Sequence, residues 1–300
     1  MVKTKALQQY TVQFLAECFS TCILILIGEA ALANFKFARQ TSNSTLPVGI
    51  AFGVGVYSAM MVGGPITGAH LNPAISIAFM TIRKLKPLQC IFYIIGQILG
   101  AFLGALLVYL VYFNQFNVFD GGLRQMIGPN GTADIFFTMP AKDIPQWNTF
   151  IDQVVSTGFL MIFVMALAYD YNHMISDVAK PFAFAIVVTA ITCAFSINAG
   201  AAINPARDLG PRLFGAFVYG WNDVFHVHNY FFWIPIIGPI VGAILGAWIY
   251  TGYTWLIKHY GHFSNTEYTD ADRKIDFQDI QTKYADDSYE LQQKLTEVNG

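Results

Sequence analysis

The sequence predicts an all-α membrane protein: six transmembrane helices plus two re-entrant half-helices, arranged as an inverted 3+3 repeat. Three observations carry this. The stretches 40–82, 87–119, 153–169, 181–206 and 224–257 contain no Asp, Glu, Lys or Arg, and the 300-residue chain is 55% hydrophobic and only 12% charged. Soluble domains carry about 25% charged residues, and a water-facing surface of this extent cannot be left without charge. The triplet Asn-Pro-Ala occurs twice, at Asn72-Pro73-Ala74 and Asn204-Pro205-Ala206. Finally, the order span, span, half-helix, span occurs twice. Three spans per copy is an odd number, so the second copy must enter the membrane with the opposite orientation.

Residues 1–10 are polar and are expected to form a cytoplasmic N-terminus without a cleavable signal. The membrane domain is expected over 11–258, with repeat 1 at about 11–113 and repeat 2 at about 150–258. Span 1, about Thr11–Ala33, carries Glu17 inside an apolar run. A carboxylate there must face the bundle and be hydrogen-bonded. Span 2 is about Leu46–Val62, followed by a loop over 63–68. Span 3 is about Pro87–Phe113, and a long loop over 114–149 leads to span 4, about Phe150–Tyr169. Span 5 is about Pro181–Ile197 and span 6 about Phe231–Ile257.

The half-helices follow from local rules. Asn is a favoured N-cap and Pro is favoured at the first helical position. The run from Asn72 to Ile82 reaches only about 16 Å, against ~30 Å of hydrocarbon. The run from Asn204 is similar and is interrupted by Gly210 and Pro211. Paired short segments of this kind, one in each half, mark a solute site near the bilayer midplane.

Other positions repeat as well. Glu17, Thr21 and Leu24 correspond to Gln153, Thr157 and Leu160; Gly96, Gly100 and Gly104 correspond to Gly238, Gly242 and Gly246. Glycine at every fourth residue lets helices approach closely in lipid. Lys3, Lys5, Arg83, Lys84, Lys86, Lys180 and Lys258 fall on one side, and Lys36, Arg39, Arg124 and Lys142 on the other. That bias puts both termini in the cytoplasm. The sequons at Asn43 and Asn130 then fall outside, as candidate N-glycosylation sites. Residues 259–300 form an acidic tail: 264–300 hold nine acidic and four basic side chains, a net −5. Ser288 and Tyr289 are candidate modification sites there. Cys18, Cys22, Cys90 and Cys193 read as packing residues rather than a disulfide frame.

At the centre, two facing helix N-termini bring roughly +0.5 charge each. Asn72 and Asn204 can offer amide N–H groups to a passing molecule. The carbonyls of Gly68, Ala69, His70, Gly200, Ala201 and Ala202 form an expected acceptor ladder, because non-helical backbone at that depth must line a wet cavity or be buried in protein. Such a lining suits small neutral molecules that both donate and accept. It repels cations, and it breaks a proton wire by forcing water to orient away on each side. Arg207 adds a positive charge, with loop carbonyls and the wet pore expected to serve in place of a carboxylate partner. Asp208 is placed at i,i+4 to Arg212, a structural pair. His70 is expected to be polar toward the pore and structural behind it. No metal or cofactor is expected, because no His, Cys or carboxylate set near His70 has ligand spacing; His226-x-His228 lies in an outer loop.

These residues resemble the aquaporin superfamily of major intrinsic proteins over about residues 10–258. Asp208 directly after the pore Arg, Arg212 four further on, and Pro235-Ile236 early in span 6 resemble the glycerol-conducting branch, the aquaglyceroporins. The resemblance implies a constriction at Phe52, Thr192, Ala201 and Arg207. Thr192 stands where water-only members have His, and Ala201 is small, so the opening is expected to be wide. Glycerol-conducting members commonly have a second aromatic residue there, which this chain lacks, so larger neutral solutes are expected to pass too. Gln153 replaces the Glu usual in span 4, with hydrogen bonding expected to persist. The resemblance further implies a homotetramer in the plasma membrane, each subunit with its own pore. The expected function is a passive channel for glycerol and water, with membrane lipid around it and no nucleic-acid partner. A water-selective channel is the alternative. An intramembrane enzyme built on Glu17 and His70 lacks any recognisable nucleophile or carboxylate pair, so no catalytic residue is assigned. A structural membrane protein would lean on the loop 114–149 for contacts.

Overall fold

The computed structural model describes residues 2–39, 45–168 and 175–260. Asn43, Tyr169 and the acidic tail with Ser288 and Tyr289 lie outside the described residues. Among the described residues there are nine α-helices, two short 3-10 turns and no strand. They are α1 (Val2–Phe37), α2 (Leu46–Thr67), α3 (Pro73–Thr81), α4 (Pro87–Asp120), α5 (Gln146–Ala168), α6 (Lys180–Phe195), α7 (Pro205–Tyr219), α8 (Trp221–Tyr230) and α9 (Ile234–Tyr260). The described residues up to Tyr253 form one compact unit, and Thr254–Tyr260 belong to a second.

Two copies of one arrangement are visible in the packing. On α4, a Cβ at Gly96, Gly100 or Gly104 would stand 2.6 Å from Phe14 O, 2.1 Å from Cys18 O or 2.9 Å from Cys22 O of α1. On α9, a Cβ at Gly242 or Gly246 would stand 2.3 Å from Val154 O or 2.4 Å from Gly158 O of α5. In each repeat the third span thus lies backbone to backbone on the first, which only glycine permits. The repeats join where α2 meets α6, with Thr189 Oγ1 donating to Gly49 O at 3.1 Å.

Several boundaries differ from the sequence reading. The expected loop over 63–68 is helical as far as Thr67; Pro65 lies inside α2, and the helix stops only at Gly68, whose φ of 79° is left-handed. Proline costs one main-chain bond, which the rest of the helix absorbs. The third span runs on to Asp120, past Phe113. The shortened connection over 121–145 folds inward and buries Ala133, Ile135, Phe136 and Phe137. Arg124 fastens its start, donating to both Asp120 oxygens (2.9 and 3.0 Å) and lying over the rings of Tyr109, Phe113 and Phe116. The fifth span is 16 residues, about 24 Å at ~1.5 Å per residue, and stops where the Ser196 hydroxyl turns back to Thr192 O. The helix α8, which the sequence did not announce, is regular only as far as His226; its last three residues, His228, Asn229 and Tyr230, have left-handed backbone.

Candidate functional site

The site begins with the two helix starts. Asn72 and Asn204 share one extended conformation, φ −152° in both, and each side-chain oxygen caps its own helix, at Ala74 N and at Ala206 N, both 2.9 Å. That leaves each amide N–H₂ free to point away. Asn72 Nδ2 donates to Ile203 O at 2.9 Å and Asn204 Nδ2 to Leu71 O at 2.8 Å. The half-helices therefore abut tip to tip, each holding the turn that precedes the other. Those turns share a strained backbone: Leu71 and Ile203 both have positive φ, 58° and 44°. Pro73 and Pro205 open the helices without losing a bond.

Two polar side chains hold the turns from behind. Glu17, fully buried, accepts from His70 N (2.9 Å), Leu71 N (2.8 Å) and Gln97 Nε2 (2.8 Å). Gln153 accepts from Ile203 N (3.1 Å) and donates to Gly200 O (3.0 Å). The amide lacks the charge, yet it secures the turn by using its donor as well as its acceptor. Gly200 O receives both Gln153 Nε2 and Ala202 N, so its two lone pairs are engaged within the turn. His70 lines the passage, with Nδ1 3.1 Å from Ser76 Oγ and its ring edge-on to Tyr93.

Two cavities flank the site, and one of them reaches this junction. One, of ≈ 300 Å³, is lined by Gly68, Ala69, His70, Asn72, Ala202 and Asn204, and at its far mouth by Lys180. The other, of ≈ 430 Å³, opens beside Lys36, Asp134 and His228. The residues lining both are Phe52, Thr192, Ala201 and Arg207. At the Lys180 mouth, Lys180 Nζ reaches Asp177 at 2.6 Å, and that ammonium holds the Asp177 carboxyl below its usual range.

The Arg207 guanidinium lies 5.0 Å from the centre of the Phe52 ring. Its Nη1 donates to Phe136 O at 2.6 Å and to Glu29 Oε1 at 3.2 Å. The loop carbonyl was expected; the carboxylate was not. Glu29 is embedded in span 1, where its letter reads like a second tolerated polar residue, and its partner lies 178 positions away. Asp208 and Arg212 are both fully buried and pair at 2.6 Å. Asp208 Oδ2 accepts from Thr138 N, and Arg212 Nη2 donates to Thr138 O, so the pair pins the 121–145 connection to α7. Pro235 and Ile236 open α9 and line neither cavity. Asn130 is exposed, while Thr132 of its sequon is buried against the Tyr219 hydroxyl at 2.9 Å. Among the described residues there is no cluster of three or more His, Cys, Asp or Glu that could hold a metal.

A multi-span helical bundle with two abutting half-helices and a cavity on each side of one constriction is a pore-forming membrane protein. The chain belongs to the major intrinsic protein family, whose model matches residues 3–250, and within it to the aquaglyceroporin branch. It is 38% identical to aquaporin-9 of Rattus norvegicus over 237 residues, 79% of this chain and 80% of that one. It is 33% identical to aquaglyceroporin-2 of Rhizophagus irregularis over 235 residues, 78% of this chain and 74% of that one. The X-ray structure of the aquaglyceroporin from Plasmodium falciparum superposes with a TM-score of 0.72 at 27% identity, covering 80% of this chain and 95% of that one.

Proposed function

We propose that this protein is a passive channel through which glycerol, water and other small neutral solutes cross a membrane while ions and protons are refused. The observation that carries it is the pair of cavities sharing Phe52, Thr192, Ala201 and Arg207. At that opening one flank is aromatic, one is a cation with N–H donors, and two are short side chains. A polyol presents carbon on one face and hydroxyls on the other, and this opening offers a partner to each. Asn72 and Asn204 then act as central donors, and the carbonyls of Gly68, Ala69, His70, Ala201 and Ala202 as acceptors along the way. The two helix N-termini oppose cations. Asp208 and Arg212 serve as scaffold.

The protein works in this reading as a homotetramer in the plasma membrane with both termini cytoplasmic, supported by the family, the basic-residue bias and the Asn130 sequon. It carries no catalytic step. Proteoliposomes in an inward glycerol gradient test the reading. Swelling above protein-free vesicles, together with fast osmotic water flux, is the expected result. Water flux without glycerol flux would move the protein to the water-selective class.

A further inference from the structure

Two adjacent residues of α1 touch two of the four constriction residues, yet line neither cavity. Gly28 backs Phe52: a Cβ at position 28 would stand 2.3 Å from the ring. Glu29 backs Arg207, with Oε1 3.2 Å from Nη1 and no exposed side-chain surface. The second oxygen, Oε2, is buried without a protein partner. A carboxylate held this way is costly, and α1 does not need it as a helix former. Its one described hydrogen bond is to the guanidinium. Among the described residues that guanidinium donates both its hydrogen bonds through Nη1, to Glu29 Oε1 and to Phe136 O, while the group lines both cavities.

We infer that Gly28 and Glu29 set the size of the opening and the place of its guanidinium, so that specificity is written partly in residues no solute touches. Glu29 is a positioning residue: it draws Arg207 against the wall by accepting a hydrogen bond from Nη1 directly behind it. Gly28 supplies the space into which the Phe52 ring is drawn back. Together they hold the paired aromatic and cationic flanks back against α1, which leaves room for a polyol beside them. The inference rests on the reading of Phe52, Thr192, Ala201 and Arg207 as the constriction. It adds that the opening is narrower, and the guanidinium freer, when either α1 residue is changed.

The experiment compares glycerol and water permeability in proteoliposomes for the full-length protein, Glu29→Gln, Gly28→Ala, Arg207→Val and the double variant Glu29→Gln/Arg207→Val. In Glu29→Gln the glycerol-to-water ratio is expected to fall roughly tenfold, the scale of one lost hydrogen bond to a charged group. In the Arg207→Val background the same substitution is expected to leave the ratio unmoved, because Glu29 acts through Arg207. A purely structural role would lower both fluxes alike and in either background. An unchanged ratio in Glu29→Gln, or an equal shift with and without Arg207, would overturn the inference. Should Glu29→Gln not reach the membrane, Gly28→Ala decides: a ratio lowered by roughly tenfold, as steric discrimination allows, supports it, and an unchanged ratio overturns it. An unaltered protein that passes no glycerol sinks the proposed function itself; one that passes glycerol while the variants behave like it sinks only this inference.

Discussion

Asp208 and Arg212 meet at 2.6 Å, one helical turn apart on α7, and neither has any exposed side-chain surface. Each also holds Thr138, Asp208 by its N–H and Arg212 by its carbonyl. The guanidinium further stacks on Phe137 at 4.3 Å and donates to Val224 O at 3.3 Å. Removing one charge leaves the other buried and uncompensated, at a cost of about 3–5 kcal/mol. Asp208→Asn is therefore expected to lower the detergent Tm strongly. Whatever fraction folds should keep its glycerol-to-water ratio. A Tm within a degree or two of the unaltered protein would show that the pair is not what fastens the 121–145 connection.

A second ion pair shows how far burial controls the outcome. Lys180 and Asp177 meet at the same 2.6 Å, but Asp177 is 92% exposed. Water screens such a pair almost completely. The ammonium lowers the Asp177 pKa, so whatever the pair contributes is present above the usual carboxylate range and is lost only as pH falls through the lowered folded value. Asp177→Asn is expected to leave Tm unmoved, and the unaltered protein should show no transition from this pair between about pH 6 and 8. Thermal melts across that range check both statements.

Much of this architecture is legible in the sequence because its signals are local. Asn followed by Pro writes a cap and a first turn within two residues, so both half-helices could be placed before any tertiary contact was known. The glycine columns were legible for the same reason. Glu29 was not, since a lone carboxylate in an apolar run does not disclose which of many distant groups it meets. The stretch from Gly63 to Gly68 misled in the other direction. Three glycines and a proline look like a loop in water, whereas α2 runs through them to Thr67, because exposed peptide groups are costlier there than an imperfect helix. The inward course of 121–145 depends on Arg124 at its start and on the Asp208–Arg212 pair of α7, far apart in the chain, and no local pattern records that.

The glycine columns make a graded prediction. At Gly100 a Cβ would stand 2.1 Å from the Cys18 carbonyl, and at Gly242 2.3 Å from that of Val154, both backbone atoms that cannot yield without moving a helix. Gly64, in the same kind of apolar helix, has nothing within 4 Å. Gly100→Ala and Gly242→Ala are each expected to cost about 1–3 kcal/mol as overpacking, and Gly64→Ala nothing or a slight gain in helix propensity. Melting curves of the three variants in one detergent give the comparison. Equal effects at all three positions would mean that the α1–α4 and α5–α9 approaches are looser than the structure has them.

The last prediction concerns the opening itself. Thr192 and Ala201 contribute two small flanks to a constriction whose other two, Phe52 and Arg207, are large. Glycerol is wider than water, so volume added on the small flanks takes space from glycerol first. Thr192→His with Ala201→Cys adds a ring on one side and a sulfur on the other without touching the Asn72–Ile203 and Asn204–Leu71 contacts. Steric discrimination in a pocket is worth roughly 10–200-fold, so glycerol permeability is expected to drop by that order while water permeability falls far less. Stopped-flow light scattering on the same vesicle preparation measures both. Equal losses of the two would place the narrowest point elsewhere, with the abutting tips at Asn72 and Asn204 as the next place to look.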